Sequence, residues 1–214
     1  MELKNYSLKY KDNILFENVN IIFKDHTIHH ILGKNGSGKS SFAKSILGAV
    51  GYTGTIDTKD ENFIVIGSYT NIPNEYKVND ILQILQEKYN FELYKKFSQS
   101  LDISSISLEN KLGSLSDGQK QKLKLLFFMA NSPKLVILDE FTSALDKKTS
   151  IDVYKFLNDY VKNYKATLIN ITHNLSDLKY MPGTYNIVKN KNILGNIEMN
   201  KAIDFYINGV DYEE

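Results

Sequence analysis

The 214-residue chain predicts an α/β fold, and three stretches carry that prediction. His29-His30-Ile31-Leu32 is a short strand that runs straight into the glycine-rich segment Gly33-Lys34-Asn35-Gly36-Ser37-Gly38-Lys39-Ser40-Ser41. Lys134 to Asp139 is an apolar run bounded by Pro133 and a pair of acids, as expected of a parallel strand buried on both faces. Ala166–Thr172 follows a helical stretch at 149–164, so strands and helices alternate as they do in a helix-covered parallel sheet.

Taken in order, residues 3–10 and 14–23 alternate apolar and polar positions around the turn Lys11-Asp12-Asn13, which predicts an antiparallel hairpin. A helix is expected from Lys39 to about Leu47, ended by Gly48 and Gly51. Phe63–Ile66 is a second short strand, leading into a loop that contains Pro73. From Val78 to about Leu101 the spacing becomes helical, with Ile81, Leu82, Leu85, Phe91, Tyr94 and Phe97 on the apolar stripe. A further helix is expected over Gln119–Ala130, so that 72–131 forms an all-helical insertion. Two weaker strands are expected near 185–189 and 192–197, and the tail Asp211-Tyr212-Glu213-Glu214 is expected to fray.

Composition bounds the class. Hydrophobic residues at 42% and charged residues at 24% suit one globular domain spanning 1–214. A net charge of +1 gives no general drive toward nucleic acid or acidic lipid. The absence of cysteine excludes disulfides, iron–sulfur clusters and cysteine-bound zinc, and it fits a reducing cytoplasm. The N-terminus, Met1-Glu2-Leu3-Lys4, lacks a signal-peptide pattern, and no apolar stretch approaches membrane-spanning length. Any membrane role is therefore expected to come through a partner.

The glycine segment fits the pattern G-x-x-x-x-G-K-[ST], with Gly33, Gly38, Lys39 and Ser40 in the fixed places. Such a loop turns its N–H groups around phosphate oxygens, while the lysine reaches the β- and γ-phosphates and the serine hydroxyl faces Mg²⁺. Lys34, Asn35, Gly36, Ser37 and Ser41 complete the expected phosphate cradle. The helix that follows points its positive end at the anion. Two further strands end in chemistry, one at Asp139-Glu140 and the other at His173. In an open parallel sheet, all three would meet beyond the strands' carboxyl ends.

A second motif, Leu115-Ser116-Asp117-Gly118-Gln119, lies upstream of the acidic strand. Together these motifs resemble the ATP-binding-cassette (ABC) superfamily over most of the chain, from Tyr10 to about Ile197. The resemblance implies a P-loop NTPase core of ABC type, with an N-terminal antiparallel β subdomain and an inserted helical subdomain. It implies ATP and Mg²⁺ as ligands. Asp139 resembles the aspartate that orients the metal or its waters, Glu140 the catalytic glutamate that positions or deprotonates the attacking water, and His173 the switch histidine at the γ-phosphate. Ser116, Gly118 and Gln119 match the signature segment, which in this family faces ATP held by the opposite subunit. That implies a head-to-tail dimer, of two copies or with a sister cassette. Ser143-Ala144-Leu145-Asp146 resembles the D-loop, which crosses the dimer.

Tyr10, 23 residues before Gly33, lies where the family stacks an aromatic on adenine. Asp117 replaces a commoner glycine, and Phe141 the usual proline. After the strand at 63–66 the family normally offers a glutamine that touches Mg²⁺ and links the site to a membrane partner. Asn71 holds the matching position, because Gln83 and Gln86 fall on the predicted helix.

The implied role is the nucleotide-binding ATPase subunit of a bacterial transporter. It would drive a separate integral-membrane permease from the cytoplasmic face, and its small size resembles ATPases of peptide or bacteriocin exporters and immunity systems. The alternative is a non-transport ATPase of the same superfamily acting on nucleic acid or the ribosome. Against it stand a single cassette, only about 75 residues between Ser40 and Leu115, and no cysteine for zinc. No nucleic-acid partner is expected.

Overall fold

The computed structural model describes residues 1–59 and 62–209, so the expected fraying of the 211–214 tail lies outside the described residues. Nine strands, seven α-helices and two single-turn 3-10 helices (Ile103–Ser105 and Leu112–Ser114) lie among the described residues. They form a three-stranded antiparallel sheet, a six-stranded mixed sheet and a helical layer.

Strands β1 (Glu2–Tyr10) and β2 (Asn13–Ile22) form the expected hairpin, with Tyr10 paired to Asn13 across the turn. A strand the sequence did not announce, β4 (Thr53–Asp57), joins the other edge of β1. It is short and mostly exposed, so its sequence carries little of the apolar alternation that marks a strand. The main sheet runs β5 (Phe63–Ile66), β6 (Leu135–Asp139), β7 (Thr167–Ile171), β3 (Ile28–Leu32), β8 (Thr184–Lys189) and β9 (Asn192–Ile197). Its neighbours are parallel except for the β8–β9 pair, which is antiparallel.

Strand periodicity sends alternate side chains to opposite faces. Ile31, Val65, Ile137, Ile169 and Ile171 join the core beneath the hairpin, with Tyr6, Phe16 and the Phe42 face of α1 (Lys39–Ile46). The Tyr6 hydroxyl lies 2.9 Å from Ser45 Oγ and ties the hairpin to that helix. Ile66, Val136, Leu138 and Leu168 face the other core, with α4 (Asp117–Met129) and α5 (Lys147–Tyr164).

The expected single helix over 78–101 is two, α2 (Val78–Lys88) and α3 (Phe91–Ser100). Asn90 makes the break, because its side chain accepts a hydrogen bond from Leu93 N and caps the second helix. Short helices α6 (Leu175–Tyr180) and α7 (Met199–Asn208) were not anticipated. None of the described helices is long and apolar enough to cross a membrane.

Candidate active site

Strands β3, β6 and β7 are adjacent, so the three chemical strand ends converge at one edge of the sheet. Between β3 and α1 the glycine loop doubles back, with Ser37 N donating to Lys34 O at 3.2 Å. Gly38 is the residue the turn depends on. Its φ is +98°, and a Cβ there would lie 2.9 Å from the Phe16 ring and 3.0 Å from Leu15. The chain thus enters α1 pressed against the hairpin, and no side chain caps that helix.

Lys39 is 4% exposed, and its ammonium donates to the carbonyls of Gly33 (2.7 Å) and Lys34 (3.0 Å), spanning the loop. Burial lowers its pKa, and the Glu140 and Asp139 carboxylates oppose that shift. Ser40 donates to Asp139 Oδ1 at 3.0 Å, and burial raises the pKa of that carboxyl. A hydroxyl and a carboxylate side by side are hard oxygen donors. They fit Mg²⁺, which takes one or two protein oxygens and fills its shell with water and phosphate. Among the described residues no cluster of three or more His, Cys, Asp or Glu offers a full protein cage. The donor set therefore suits a metal shared with a nucleotide.

Glu140 sits just past β6 with φ +53°, an uncommon conformation for a residue other than glycine. Its N–H donates to Ile171 O at 2.9 Å, which pins the end of β6 to the end of β7. Its Oε1 lies 3.4 Å from His173 Nδ1. Both side chains are about 40% exposed and open onto a cavity of about 450 Å³. The cavity wall is made by the loop residues 35–41, by Glu140 and His173, and by Tyr10, Asn13 and Leu15 of the hairpin. Tyr10 is 55% exposed, so its ring is available at the mouth. Asn13 and Leu15 are additions that the motifs did not flag.

The signature residues lie elsewhere. Ser116, Gly118 and Gln119 are not on the wall of this cavity. Ser116 caps α4 by accepting from Gln119 N at 3.2 Å, and Gln119 Oε1 accepts from Ser116 N at 3.1 Å. A Cβ on Gly118 would come 2.9 Å from Thr149 Oγ1, so glycine lets α4 rest on the start of α5. There Asp146 accepts from Lys148 N, Thr149 N and Thr149 Oγ1. Asp117 is exposed, and Phe141 is buried in the apolar core on the helical side. An aromatic ring filling core volume accounts for Phe141 without any ligand contact.

Asn71 is not brought to the phosphate loop. It is exposed, its amide donates to Ser68 O at 2.9 Å, and its carbonyl lies 3.3 Å from Lys124 Nζ. It borders a separate cavity of about 500 Å³ beside the helical insertion, with Pro73, Glu75, Leu112 and Lys120. From that loop Tyr69 turns toward Asp139: its hydroxyl is buried beside that carboxylate, without a hydrogen-bond partner of normal geometry. Burial and that carboxylate push its phenol above the ordinary range. No motif predicted Tyr69.

Comparison with known proteins places this geometry. Residues 16–143 match the ABC transporter family. A probable peptide export ATP-binding protein of Bacillus subtilis (strain 168) is 39% identical over 209 residues, covering 97% of this chain and 100% of that protein. A lacticin-481/lactococcin-DR transport/processing ATP-binding protein of Lactococcus lactis subsp. lactis is 29% identical over 225 residues, covering 96% of this chain and 33% of that one. The dimeric structure of a bacterial ABC transporter cassette superposes with a TM-score of 0.70 at 24% identity, covering 90% of this chain and 95% of that one.

Proposed function

Because the chain belongs to the ABC transporter family, whose cassettes dimerise and power transport by ATP hydrolysis, we propose that it drives a peptide exporter from the cytoplasmic face of a separate membrane permease. The observation that carries the reading is the meeting of Lys39, Ser40, Asp139, Glu140 and His173 beyond three adjacent strands. Peptide cargo rests on the Bacillus subtilis relative, which matches along its full length.

In this proposal the loop N–H groups and the N-terminus of α1 hold the phosphates, and Tyr10 stacks on the adenine. Lys39 exchanges its carbonyl partners for the β- and γ-phosphate oxygens. Ser40 and Asp139 would hold Mg²⁺, which would supply charge neutralisation at the phosphates. Glu140 accepts the proton of the attacking water, and His173 steadies that water and the γ-phosphate. The products are ADP and inorganic phosphate. Phosphoryl transfer requires placement and charge stabilisation more than covalent help, and these groups supply both.

Ser116, Gly118 and Gln119 act on nucleotide held by a second cassette. This chain carries both half-sites, so a second copy of itself suffices as partner. The cavity beside Asn71 and the helical insertion is the proposed seat of the permease. Tagged Glu140→Gln protein, purified in mild detergent with ATP and Mg²⁺, tests the proposal. An integral membrane protein recovered in fixed ratio is expected. Recovery of ribosomes, DNA or soluble proteins alone would overturn it.

A further inference from the structure

Behind the reacting edge lies a buried polar cluster that no step above uses. Asp177, on α6, has no exposed surface, and neither does Asn170 on β7; Thr142 is 1% exposed. The Asp177 carboxylate accepts from the Thr142 hydroxyl on both oxygens, at 2.8 and 2.7 Å. It also accepts from the Tyr154 hydroxyl of α5 at 2.7 Å and from the Asn170 amide at 2.9 Å. Asn170 Nδ2 lies a further 3.3 Å from His30 Nδ1 on β3. Three segments thus donate to one buried acid, and β3 joins the cluster through Asn170.

Burying a carboxylate is unfavourable unless its oxygens are fully hydrogen-bonded, so such a group is informative when it recurs beside chemistry. The donors here are not scattered through the core. Thr142 is two residues after Glu140, in a turn where Ser143 Oγ donates to Glu140 O at 2.8 Å and Leu145 N to Thr142 O at 3.2 Å. Asp177 is four residues after His173, on a helix whose cap Asn174 donates from its backbone to Thr172 Oγ1 at 2.9 Å. Glu140 itself holds a left-handed φ of +53°, a conformation that persists only when its surroundings fix it. Besides the exposed Glu140–His173 contact itself, the Asp177–Thr142 bond is a buried side-chain link that joins the segment carrying Glu140 to the segment carrying His173.

We propose that Asp177 is a positioning residue for hydrolysis, which through Thr142 sets the Glu140 carboxylate against the His173 imidazole. The proposal rests on Glu140 and His173 being the groups that handle the attacking water. Asp177 touches neither nucleotide nor water. It fixes the separation and angle of the two segments, and misplacement by about 1 Å is enough to slow a reaction roughly 100-fold. Tyr154 ties the same carboxylate to α5 and accepts from Asn174 Nδ2 at 3.4 Å, but its removal leaves the Asp177–Thr142 bond to the Glu140 segment in place, so it serves as the comparison.

The test compares Thr142→Val, which keeps the shape and removes the hydroxyl, with Thr142→Ser, which keeps the hydroxyl, and with Tyr154→Phe. Steady-state ATPase of the purified protein gives kcat and KM, and nucleotide titration of the same protein gives ATP affinity. Thermal melts establish that each variant is folded. Thr142→Val is expected to lower kcat roughly 10- to 100-fold with KM and ATP affinity unchanged. Thr142→Ser is expected to restore most of kcat, and Tyr154→Phe to melt earlier with kcat retained. Equal kcat in wild type and Thr142→Val, or equal losses in Thr142→Val and Tyr154→Phe, would overturn the proposal. Glu140→Gln, assayed alongside, separates the two layers. If that variant still turns over, the assignment of Glu140 fails. If it is dead while Thr142→Val is normal, only the positioning role fails.

Discussion

Two helix N-termini in this molecule are proposed to meet phosphate, and they are finished in opposite ways. At α1 the cap is Gly38, whose backbone is left-handed and whose position has no side chain to satisfy the first turn. At α4 the cap is Ser116, and it forms a reciprocal pair with Gln119. The first is a cradle already shaped for an anion, open within its own chain. The second is closed by that pair: in the proposed dimer a phosphate from a second cassette would compete with Gln119 Oε1 for the Ser116 N–H, while the Ser116 hydroxyl proton, which the cap does not use, would be able to donate to it. The comparison teaches that binding and assembly are separable here. In the proposed mode one chain would suffice to hold ATP, and the signature would contribute when two chains meet.

Substitutions can break that separation. The largest effect is expected from Glu140→Gln, which keeps charge out of the site and removes the proton acceptor. Turnover should fall roughly 100- to 10,000-fold with ATP affinity intact. Retained hydrolysis in a phosphate-release assay would count against Glu140. Lys39→Ala strikes the cradle itself. It removes a charged donor pair that now spans the Gly33 and Lys34 carbonyls, and nucleotide affinity should drop about 10- to 100-fold. Fluorescent-nucleotide titration measures it, and wild-type affinity would contradict the loop assignment.

Ser116→Ala sharpens the other side of the comparison. It should leave the ATP affinity of the isolated chain unchanged, lower stability by about 1 kcal/mol through the lost cap, and abolish ATP-driven dimerisation. Light scattering with and without ATP, on the Glu140→Gln background, reads the last point. A normal ATP-bound dimer from Ser116→Ala would mean that the serine is a helix cap alone.

How much of this could be read from sequence depends on whether the residues are contiguous. The loop from Gly33 to Ser41, the Asp139-Glu140 pair and the Leu115–Gln119 segment each sit in one short stretch, and their spacing is set by local backbone geometry. The hairpin is legible for the same reason, as is the placement of Tyr10 at the cavity mouth. Strand β4 escaped because its partner strand begins some fifty residues earlier and its own faces are mostly exposed. The break at Asn90 escaped because apolar spacing continues through it, while a single capping side chain restarts the helix. The Asp177 cluster draws on residues 30, 142, 154 and 170, which only the tertiary fold assembles.

The loop after β5 shows where local spacing stops being enough, and it yields the smallest of the predicted effects. Matching by position puts Asn71 at the metal. In the structure a tight turn intervenes, with Gly67 N donating to Thr70 Oγ1 at 2.8 Å and Thr70 N to Gly67 O at 3.3 Å. That turn directs Tyr69 inward toward Asp139, with Lys44 Nζ 4.9 Å from the centre of its ring. Asn71 is left outward, against Lys124 on the helix that the signature opens. One loop therefore touches both halves of the comparison, through different residues. In the proposed site the Tyr69 hydroxyl would hydrogen-bond the Asp139 carboxylate once Mg²⁺ draws it into place, a bond worth about 1 kcal/mol, so in Tyr69→Phe half-maximal activity should require roughly fivefold more Mg²⁺. Asn71→Ala should leave that requirement and basal hydrolysis unchanged, while weakening recovery of the permease. If instead Asn71→Ala raises the Mg²⁺ requirement and Tyr69→Phe does not, the loop must turn over when nucleotide binds, and position in the sequence would outrank the arrangement seen here.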